Sequence, residues 1–540
     1  MTVMMEAIAE SHMAIQRQDT VSIIIFLLVL CAIKHAINQW YGHPSVGRSR
    51  LWTLLLWQTP TRLCLDKWAT KGYQMYHRGN REKPFYMKIY GLSMLVMPPK
   101  YLDALKSANH HTLSFAQSLS DSLNMEASLG DLGTNSTMEI EVVAKGLNPR
   151  LAKLVPELAD ENRFALDTEL GILPDLGFFR NIMPLCSRSL KKEWTAKNAF
   201  HLSAMLVHRV TNRVLVGKEL ARNEPYIAKC MAFSQSVFIN GVRWNFLPLG
   251  PFRKLVYRIG TRKHRRDLDN AAADLLPMIK NRMADRDNQT GDCKRYEDAI
   301  QWNLDLPAPE AREATPERHA HRVLHLTFAA AGTVAVLLTH LIYQILMYPE
   351  YLEPLRQEIK EALDAENGEW TDLTLTRLRL FDSFVRETLR VHPPSVFTAA
   401  RTVLQKPYTF SDGFCLPKGA QIAFPTLPIH MDPENYDKAT EFDGYRFLRL
   451  SKVPGEQEGK WGASRIDKTY LPYGFGRQAC PGRFYGVRKV KLIFGTMLHE
   501  YDIRWKNGQV RKDRPPNIVV EGQIFANNTV EVEFRTRRLI

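Results

Sequence analysis

Hydrophobic residues recur every three or four positions through much of residues 139–215 and 226–285, and this spacing predicts a succession of helices. From residue 321 to residue 348 the hydrophobic positions extend almost all round the predicted helix, a pattern typical of a buried helix. Residues 483–501 predict another helix near the C-terminus. Between these elements, residues 286–320 are polar and contain several prolines, so we expect a surface connection there.

Strands are predicted at fewer places. Residues 85–91 and 93–98 alternate in polarity and flank a glycine, as expected for a β-hairpin. Two short strands are expected over residues 408–424, and residues 518–537 predict a terminal hairpin that turns near Asn527. The chain is therefore expected to be mainly α, with small β-sheets.

The N-terminal segment differs from the rest of the chain. Residues 21–33 form an apolar run that reaches the length of a membrane span only if flanking residues extend it. A cleaved signal peptide is the alternative, but the residues before the run are more acidic than basic, and basic residues follow it. We therefore expect a short tail over residues 1–19, a membrane anchor over residues 20–39, and one cytosol-facing domain over residues 40–540.

Composition narrows the possible functions. A hydrophobic content of 45% and a charged content of 24% are those of an ordinary globular chain. The net charge of +15 comes from dispersed residues, which favours an anionic membrane surface or an acidic protein partner over a nucleic acid. The seven cysteines are scattered without a CxxC pair, which argues against a disulfide framework and against a zinc site.

One of these cysteines has the surroundings of a reactive thiol. Cys480 lies in the glycine-rich segment 473–482, directly before the predicted helix 483–501. The N-terminus of a helix stabilises a thiolate through its dipole and its free N–H groups. Glycines on both sides of Cys480 allow the backbone to approach a large flat group, so the segment suits a thiolate ligand of haem iron. A buried structural cysteine is the alternative interpretation.

The segment resembles the haem-binding loop of cytochromes P450. In that family a phenylalanine, a glycine, the cysteine and a second glycine recur at fixed spacing, and here these positions hold Tyr473, Gly476, Cys480 and Gly482. The resemblance implies that Cys480 is the axial ligand of haem b, iron protoporphyrin IX. The position two before the cysteine usually holds an arginine or histidine that binds a haem propionate, whereas this chain has Gln478 there.

The other motifs of the family follow in the required order. Glu387 and Arg390, one turn apart on a predicted helix, match its ExxR motif, and Arg446 matches the arginine that joins this pair in a buried ion-pair lock. As surface residues they would contribute only a few tenths of a kcal/mol. The resemblance also implies haem-propionate contacts for Arg401, for which a solvent-facing arginine is the alternative, and for Arg477, which adjoins Gln478.

The predicted central helix carries the family's oxygen-site segment at residues 329–334. Thr333 matches the threonine whose hydroxyl hydrogen-bonds dioxygen and helps to relay protons, and the alternative is a threonine that bonds back to a helix carbonyl. Gly332 stands where the family has an acidic residue, and Val334 where it has a second hydroxyl. The resemblance therefore implies the oxygen site without its usual proton-relaying carboxylate.

The resemblance as a whole implies a cytochrome P450 fold, with haem between the central helix and the cysteine loop. Residues 328–333, 348–358 and 442–447 are most similar to membrane-bound fungal enzymes of secondary metabolism. The implied activity is monooxygenation of a large hydrophobic small molecule, of terpenoid, indole-diterpene or polyketide type. Thr333 and Cys480 would be its catalytic residues.

The resemblance also implies partners. Electrons are expected from NADPH through a separate cytochrome P450 reductase, with cytochrome b5 as an optional second donor, at the endoplasmic reticulum membrane. A basic set near the loop is expected to meet the reductase, and it consists of Arg477, Arg483, Arg488, Lys489 and Lys491. Two other functions stay open: a haem-thiolate isomerase, dehydratase or peroxygenase that needs no reductase, and a non-enzymatic haem- or lipid-binding membrane protein.

Overall fold

The computed structural model describes most of the chain beyond the predicted anchor. The described residues are 64–78, 82–126, 138–170, 193–244, 253–287, 296–308, 310–457 and 459–537. The predicted tail over residues 1–19 and the predicted anchor over residues 20–39 lie outside these ranges.

Helices form the bulk of the described structure. Those up to residue 305 are α1 (Leu65–Gly72), α2 (Ala104–Ser107), α3 (Phe115–Leu123), α4 (Met138–Glu141), α5 (Leu151–Glu169), α6 (Ala199–Leu215), α7 (Lys218–Ala221), α8 (Glu224–Trp244), α9 (Arg253–Gly260), α10 (Arg262–Asp287) and α11 (Ala299–Asp305). Those that follow are α12 (Pro316–Met347), α13 (Leu352–Asp364), α14 (Asp372–Arg377), α15 (Arg379–Val391), α16 (Thr426–His430), α17 (Arg446–Leu450) and α18 (Arg483–Glu500).

The strands of the described residues form small sheets. They are β1 (Phe85–Ile89), β2 (Leu92–Val96), β3 (Leu113–Ser114), β4 (Thr195–Asn198), β5 (Thr398–Val403), β6 (Tyr408–Thr409), β7 (Cys415–Leu416), β8 (Gln421–Phe424), β9 (Tyr501–Trp505), β10 (Ile518–Val520), β11 (Gln523–Phe525) and β12 (Glu531–Thr536). A five-stranded sheet has the order β1-β2-β8-β5-β3, and a three-stranded sheet the order β4-β12-β9. The pairs β6-β7 and β10-β11 are separate hairpins.

The predicted N-terminal hairpin is present. β1 and β2 are antiparallel, and Ile89 pairs with Leu92 across a two-residue turn. Both turn residues, Tyr90 and Gly91, have positive φ angles of 53° and 70°. Such a turn matches the right-handed twist of the flanking strands, which fixes the register of the hairpin.

The central helix α12 is the longest helix of the described chain and begins earlier than predicted. Thr315 caps it, because its hydroxyl accepts a hydrogen bond from the N–H of Arg318, and Pro316 occupies the first turn. Among the described residues α12 alone is long and apolar enough to cross a membrane, but 72% of its most apolar window is buried inside the protein. It is therefore the core helix that the pattern predicts.

Two local predictions were wrong. Residues 286–320 are not merely a surface connection, because α11 lies within them and buries Ile300 and Trp302. A helix of only seven residues has too few turns to reveal a hydrophobic period. The terminal hairpin turns at Glu521 and Gly522, not near Asn527, and β12 instead pairs with β4 and β9.

The helices α6, α12 and α18 form the interior around the predicted oxygen and cysteine segments. α12 packs extensively along α6, and α18 contacts α12, α13 and α5. Side chains of α18 such as Phe494 and Met497 are fully buried. The middle of α12 and the start of α18 are thereby held next to each other by well-packed apolar surfaces.

Candidate active site

The loop before α18 directs backbone donors at the Cys480 sulfur. The N–H of Cys480 donates to the carbonyl of Tyr473 at 2.9 Å, which closes the loop. Burial raises the pKa of the Cys480 thiol, whereas the backbone N–H groups of Gly482 and Arg483 and the charge of Arg483 act to lower it. These donors at the N-terminus of α18 are suited to stabilising a thiolate once a cation binds it.

The sulfur is enclosed by protein and nevertheless accessible. Cys480 is exposed, although its surroundings are dry enough to raise its pKa. A Cβ placed on Gly482 would meet no other atom within 4 Å. The thiol therefore borders an open space inside the protein.

A glycine in this loop is needed for a close backbone contact. Gly476 has a φ angle of 72°, and a Cβ there would overlap the main-chain carbonyl of Leu105 at the end of α2. Any other residue would push the loop away from α2. The close approach seats the cysteine loop against the N-terminal part of the domain.

The middle of α12 has an open face. Ala329, Gly332 and Thr333 are exposed, whereas Ala331 between them is buried. A Cβ on Gly332 would meet nothing within 4 Å. Thr327 and Thr339 bond back to carbonyls one turn earlier, but Thr333 has no hydrogen-bond partner in the described part of the chain. Its hydroxyl is therefore available to a bound molecule.

α18 joins this face to the cysteine loop. A Cβ on Gly486 would lie 3.7 Å from a methyl group of Val334, and the amine of Lys489 donates to the carbonyl of Ala330 at 2.9 Å. These contacts place the first turns of α18 directly against residues 330–334 of α12. A group held by Cys480 would lie beside Thr333 on α12.

Arg401 is buried close to the cysteine loop. Its side chain is 1% exposed, so it is not the solvent-facing arginine of the alternative interpretation. It donates to the carbonyls of Ala400 and Phe475 at 2.7 and 3.0 Å, and its Nε has no partner in the described structure. No carboxylate of the described residues pairs with it, and burial lowers the pKa of Arg401 to about 10. A buried guanidinium of this kind is expected to bind an anion.

An irregularity in β5 positions this arginine. The pairing of β5 with β8 shifts register between Thr398 and Arg401, and Ala399 has a φ angle of 52°. Such a bulge changes the direction of the following side chain. Gly474 of the cysteine loop packs against Ala399, because a Cβ there would lie 3.9 Å from the Ala399 Cα.

Gln478 and Arg477 have different environments from Arg401. The Gln478 side-chain oxygen accepts from the N–H of Phe115 at 2.9 Å, and its amide donates to the carbonyl of Leu113 at 2.7 Å. Gln478 therefore ties the loop to the junction of β3 and α3. Arg477 is exposed, and its charge acts on His110 at the surface, where it helps to lower the pKa of that histidine.

The structure brings the three residues of the predicted lock together. Arg390 donates to the two Glu387 oxygens at 2.8 and 2.7 Å, and Arg446 Nε lies 3.2 Å from both. The remaining Arg390 donors bond to main-chain carbonyls. All three side chains are buried. A buried carboxylate with both arginines hydrogen-bonded to it is tolerated because every charge has a partner.

Two lysines expected to face a reductase are buried instead. Lys489 and Lys491 are 0% and 5% exposed, so that expectation was wrong for both. Lys489 donates to the hydroxyl of Thr211 at 2.7 Å as well as to Ala330, and Lys491 pairs with Asp382 at 3.2 Å. The apolar positions around these two lysines on α18 could have predicted their burial, since a charged residue within a buried stretch snorkels or pairs internally.

The residues present fit a haem group. An accessible thiol with backbone donors, a helix face of small residues and a buried arginine without a carboxylate are brought together around the cysteine loop and the start of α18. A planar iron porphyrin needs these three features: a sulfur ligand, a flat surface for the ring and a cation for a propionate. Arg401 offers the cation on the side of Phe475, and Gln478 is already committed to the main chain of residues 113 and 115.

Comparison with known proteins agrees with this fit. The family model described as "Cytochrome P450" matches residues 161–526. Cytochrome P450 monooxygenase sirB of Leptosphaeria maculans is 53% identical over 92% of this chain and 91% of its own length. Cytochrome P450 monooxygenase olcJ of Penicillium canescens is 31% identical over 77% of this chain and 75% of its own length.

A solved structure gives the same fold. Retinoic acid bound cyanobacterial CYP120A1 superimposes with a TM-score of 0.64 at 17% identity, and the match covers 92% of this chain and 99% of that chain. At this identity the match supports the fold alone. The family model and the extended similarity to sirB support more, and the chain belongs to the cytochrome P450 family of monooxygenases.

Proposed function

We propose that this P450 monooxygenase inserts one oxygen atom from O2 into a large hydrophobic intermediate of fungal secondary metabolism, of terpenoid, indole-diterpene or polyketide type. Its similarity to fungal monooxygenases such as sirB and olcJ supports the metabolic class. The small apolar residues on the open face of α12 support a hydrophobic substrate. The single observation that carries the proposal is the accessible Cys480 thiol beside the open face of α12.

Haem, when bound, supplies the oxygen activation and the electron transfer of the reaction. Cys480 holds it through sulfur, and the N–H groups of Gly482 and Arg483 stabilise the negative charge on that sulfur. Arg401 compensates the charge of a propionate, which also relieves the burial cost of its own guanidinium. The small side chains at residues 329–332 leave room for the ring and for a substrate beside it.

Thr333 is the proton-handling residue of the proposed site. Its hydroxyl has no partner within the described residues and can both accept and donate a hydrogen bond. Gly332 supplies no carboxylate beside it, so protons must reach the Thr333 oxygen through water on the open helix face. The surrounding apolar residues of α12 keep other water away from the reacting carbon.

Partners and location extend the proposal. NADPH is the electron source through a separate flavoprotein reductase, with cytochrome b5 as an optional donor, and residues 20–39 anchor the chain in the endoplasmic reticulum membrane facing the cytosol. The net charge of +15 supports an acidic partner and an anionic surface. Exposed Arg477, beside the cysteine loop, is a better candidate for a reductase contact than the buried Lys489 and Lys491.

Gly332 also favours a second candidate. The absence of a carboxylate at this position would reduce the activity of a haem-thiolate isomerase, dehydratase or peroxygenase less than that of a monooxygenase, since those reactions do not draw protons for O2 reduction. Incubation of the haem-loaded protein with candidate scaffolds distinguishes the two. Product that forms only with O2, NADPH and reductase supports monooxygenation, and product that forms without NADPH and reductase overturns it.

The haem-thiolate assignment has a direct spectroscopic test. The reduced, haem-loaded protein is exposed to carbon monoxide, and the Soret band is recorded for the wild type, Cys480→Ala and the control Cys415→Ala, which changes another exposed cysteine. We expect the band at the position typical of thiolate ligation in the wild type and in Cys415→Ala, and its loss in Cys480→Ala. Retention of that band in Cys480→Ala would refute the assignment of Cys480.

A further inference from the structure

A histidine lies on the same face of α12 as the open oxygen segment. His325, Ala329 and Gly332 are spaced by four and then three residues, so they share one side of the helix. α18 packs on another side, through Ala330 and Val334. The face that carries His325 therefore extends from the segment around Thr333 toward the N-terminus of α12, away from the cysteine loop. A substrate would lie along this face.

A glutamate from α4 meets this histidine. Glu139 Oε1 lies 3.6 Å from His325 Nδ1, and the two side chains are 10% and 16% exposed. Neither atom has a hydrogen-bond partner within the described ranges. No arginine or lysine of the described residues pairs with Glu139. A carboxylate that is nine-tenths buried and lacks donors is costly unless a ligand supplies them.

The neighbours of this pair are apolar. Phe328 stacks against the His325 ring with centroids 6.5 Å apart, and Ala329 follows on the open face. Other buried polar side chains of α12 have partners, as Arg322 has in Glu313 and Asn303. Glu139 and His325 thus form a polar pair beside apolar residues of α12.

We infer that Glu139 and His325 form a recognition site for a hydrogen-bond donor, an N–H or O–H group, on the substrate. The inference rests on the proposed function and narrows its substrate class. The Glu139 carboxylate accepts from the donor, and the His325 ring, whose Nδ1 lies 3.6 Å from that carboxylate, borders the donor. The substrate is then a largely hydrophobic molecule with one hydrogen-bond donor remote from the carbon that is oxidised.

The helix sets the separation between the two ends of such a substrate. Thr333 is eight residues beyond His325, and at about 1.5 Å per residue they are about 12 Å apart along the helix axis. A molecule with its donor at Glu139 would place a carbon at that distance beside Thr333. A substrate that fits this site therefore carries its donor at about this distance from the carbon that is oxidised.

Synthetic ligands test the inference without knowledge of the natural substrate. Imidazoles bind haem iron through nitrogen, so N-alkyl imidazoles with tethers lengthened one methylene at a time extend from the iron along α12. Each tether ends in a primary amide, a methyl group or a carboxylate. Dissociation constants are measured with the haem-loaded protein from the shift of the Soret band.

At the tether length that reaches Glu139, we expect the amide to bind about tenfold more tightly than the methyl ligand, the worth of one good hydrogen bond to a charged acceptor. The carboxylate should bind most weakly, because Glu139 repels it. Glu139→Met and His325→Leu should remove the preference for the amide. Glu141→Met is the matched control, since Glu141 lies on the same short helix and, in the part of the chain that the structure describes, pairs only with exposed Lys145.

Each outcome has one meaning. Absence of an imidazole-binding spectrum in the wild type would overturn the haem-thiolate proposal itself. Binding of all three ligands with equal affinity, or an amide preference that survives Glu139→Met in protein with an intact carbon monoxide spectrum, would overturn the recognition site alone. If Glu139→Met does not fold, Glu139→Gln replaces it, and loss of the discrimination against the carboxylate ligand is then the required result.

Discussion

Buried basic side chains have different partners in two regions of this protein. In the lock, Arg390 and Arg446 share the Glu387 carboxylate, and the other Arg390 donors bond to carbonyls. Around the cysteine loop, Arg401 has only carbonyl partners and an unsatisfied Nε. Lys489, equally buried, bonds to a hydroxyl and a carbonyl. In the lock each buried cation is paired with a carboxylate, whereas Arg401 and Lys489 pair with no carboxylate of the described residues.

The difference separates residues that hold the fold from residues that await a ligand. A buried network in which every charged group has a partner needs no ligand and stabilises the fold. An unbalanced buried cation reduces the stability of the ligand-free protein, and it is relieved only when an anion binds or when it releases its proton. The region around Cys480 is therefore where the chain gives up stability for function.

The largest expected effect comes from unbalancing the lock. Glu387→Gln leaves two buried arginines without a counter-charge, and we expect the free energy of unfolding to fall by about 3–5 kcal/mol. Urea unfolding of the haem-loaded protein measures this. Glu434→Gln is the control, because Glu434 is exposed and its ion pair with Arg78, at 3.5 Å, lies at the surface. Equal stability of the two variants would show that the lock is not structural.

Lys489 should make stability depend on pH. Burial lowers its pKa from 10.5 to about 7, so between these values the unfolded chain binds one more proton than the folded chain. The free energy of unfolding therefore rises with pH across this window, and below pH 7 the penalty is constant. Lys489→Met should flatten the rise and add about 2 kcal/mol at neutral pH, after the loss of two hydrogen bonds is included.

Urea unfolding at a series of pH values tests this prediction. Lys491→Met is the matched control, because it removes a buried lysine from the same helix but leaves Asp382 without the cation that pairs with it. This control should lower stability. An unchanged pH slope in Lys489→Met would mean that Lys489 stays protonated in the folded protein.

Arg401→Leu should have opposite effects on the two forms of the protein. The haem-free form should gain about 1–2 kcal/mol, because an unpaired buried cation is removed. Haem retention should weaken about tenfold, because a propionate loses its counter-charge. Unfolding of the haem-free form and transfer of haem to an acceptor protein measure the two effects. A loss of stability in the haem-free form would contradict the unbalanced role of Arg401.

The smallest effect is expected on the open face of α12. Gly332→Ala should stabilise the haem-free protein by about 0.5–1 kcal/mol, because alanine favours the helix and its Cβ meets no atom within 4 Å. Gly495→Ala on α18 is the contrasting variant, since its Cβ would lie 2.8 Å from the Trp370 ring. In thermal unfolding, we expect Gly332→Ala to have a higher Tm than the wild type and Gly495→Ala to have a lower one.

Local patterns were sufficient where structure depends on neighbours in sequence. The apolar period of α12 and α18 predicted both helices, and the alternation around Gly91 predicted the β1-β2 hairpin. The prediction failed at the C-terminus, where β12 pairs with β4, more than 300 residues away along the chain. A strand pattern does not specify its partner, because long-range pairing depends on the packing of the whole domain.

The same division applies to the site. The sequence by itself determined the family, the candidate ligand Cys480 and the order of the motifs, because these depend on residue type and spacing. Only the tertiary structure decided that Arg401 is unpaired, that Gln478 is tied to the main chain, that Lys489 and Lys491 are buried, and that Glu139 meets His325. Burial and charge pairing arise from segments far apart in sequence, and no local pattern encodes which of them come together.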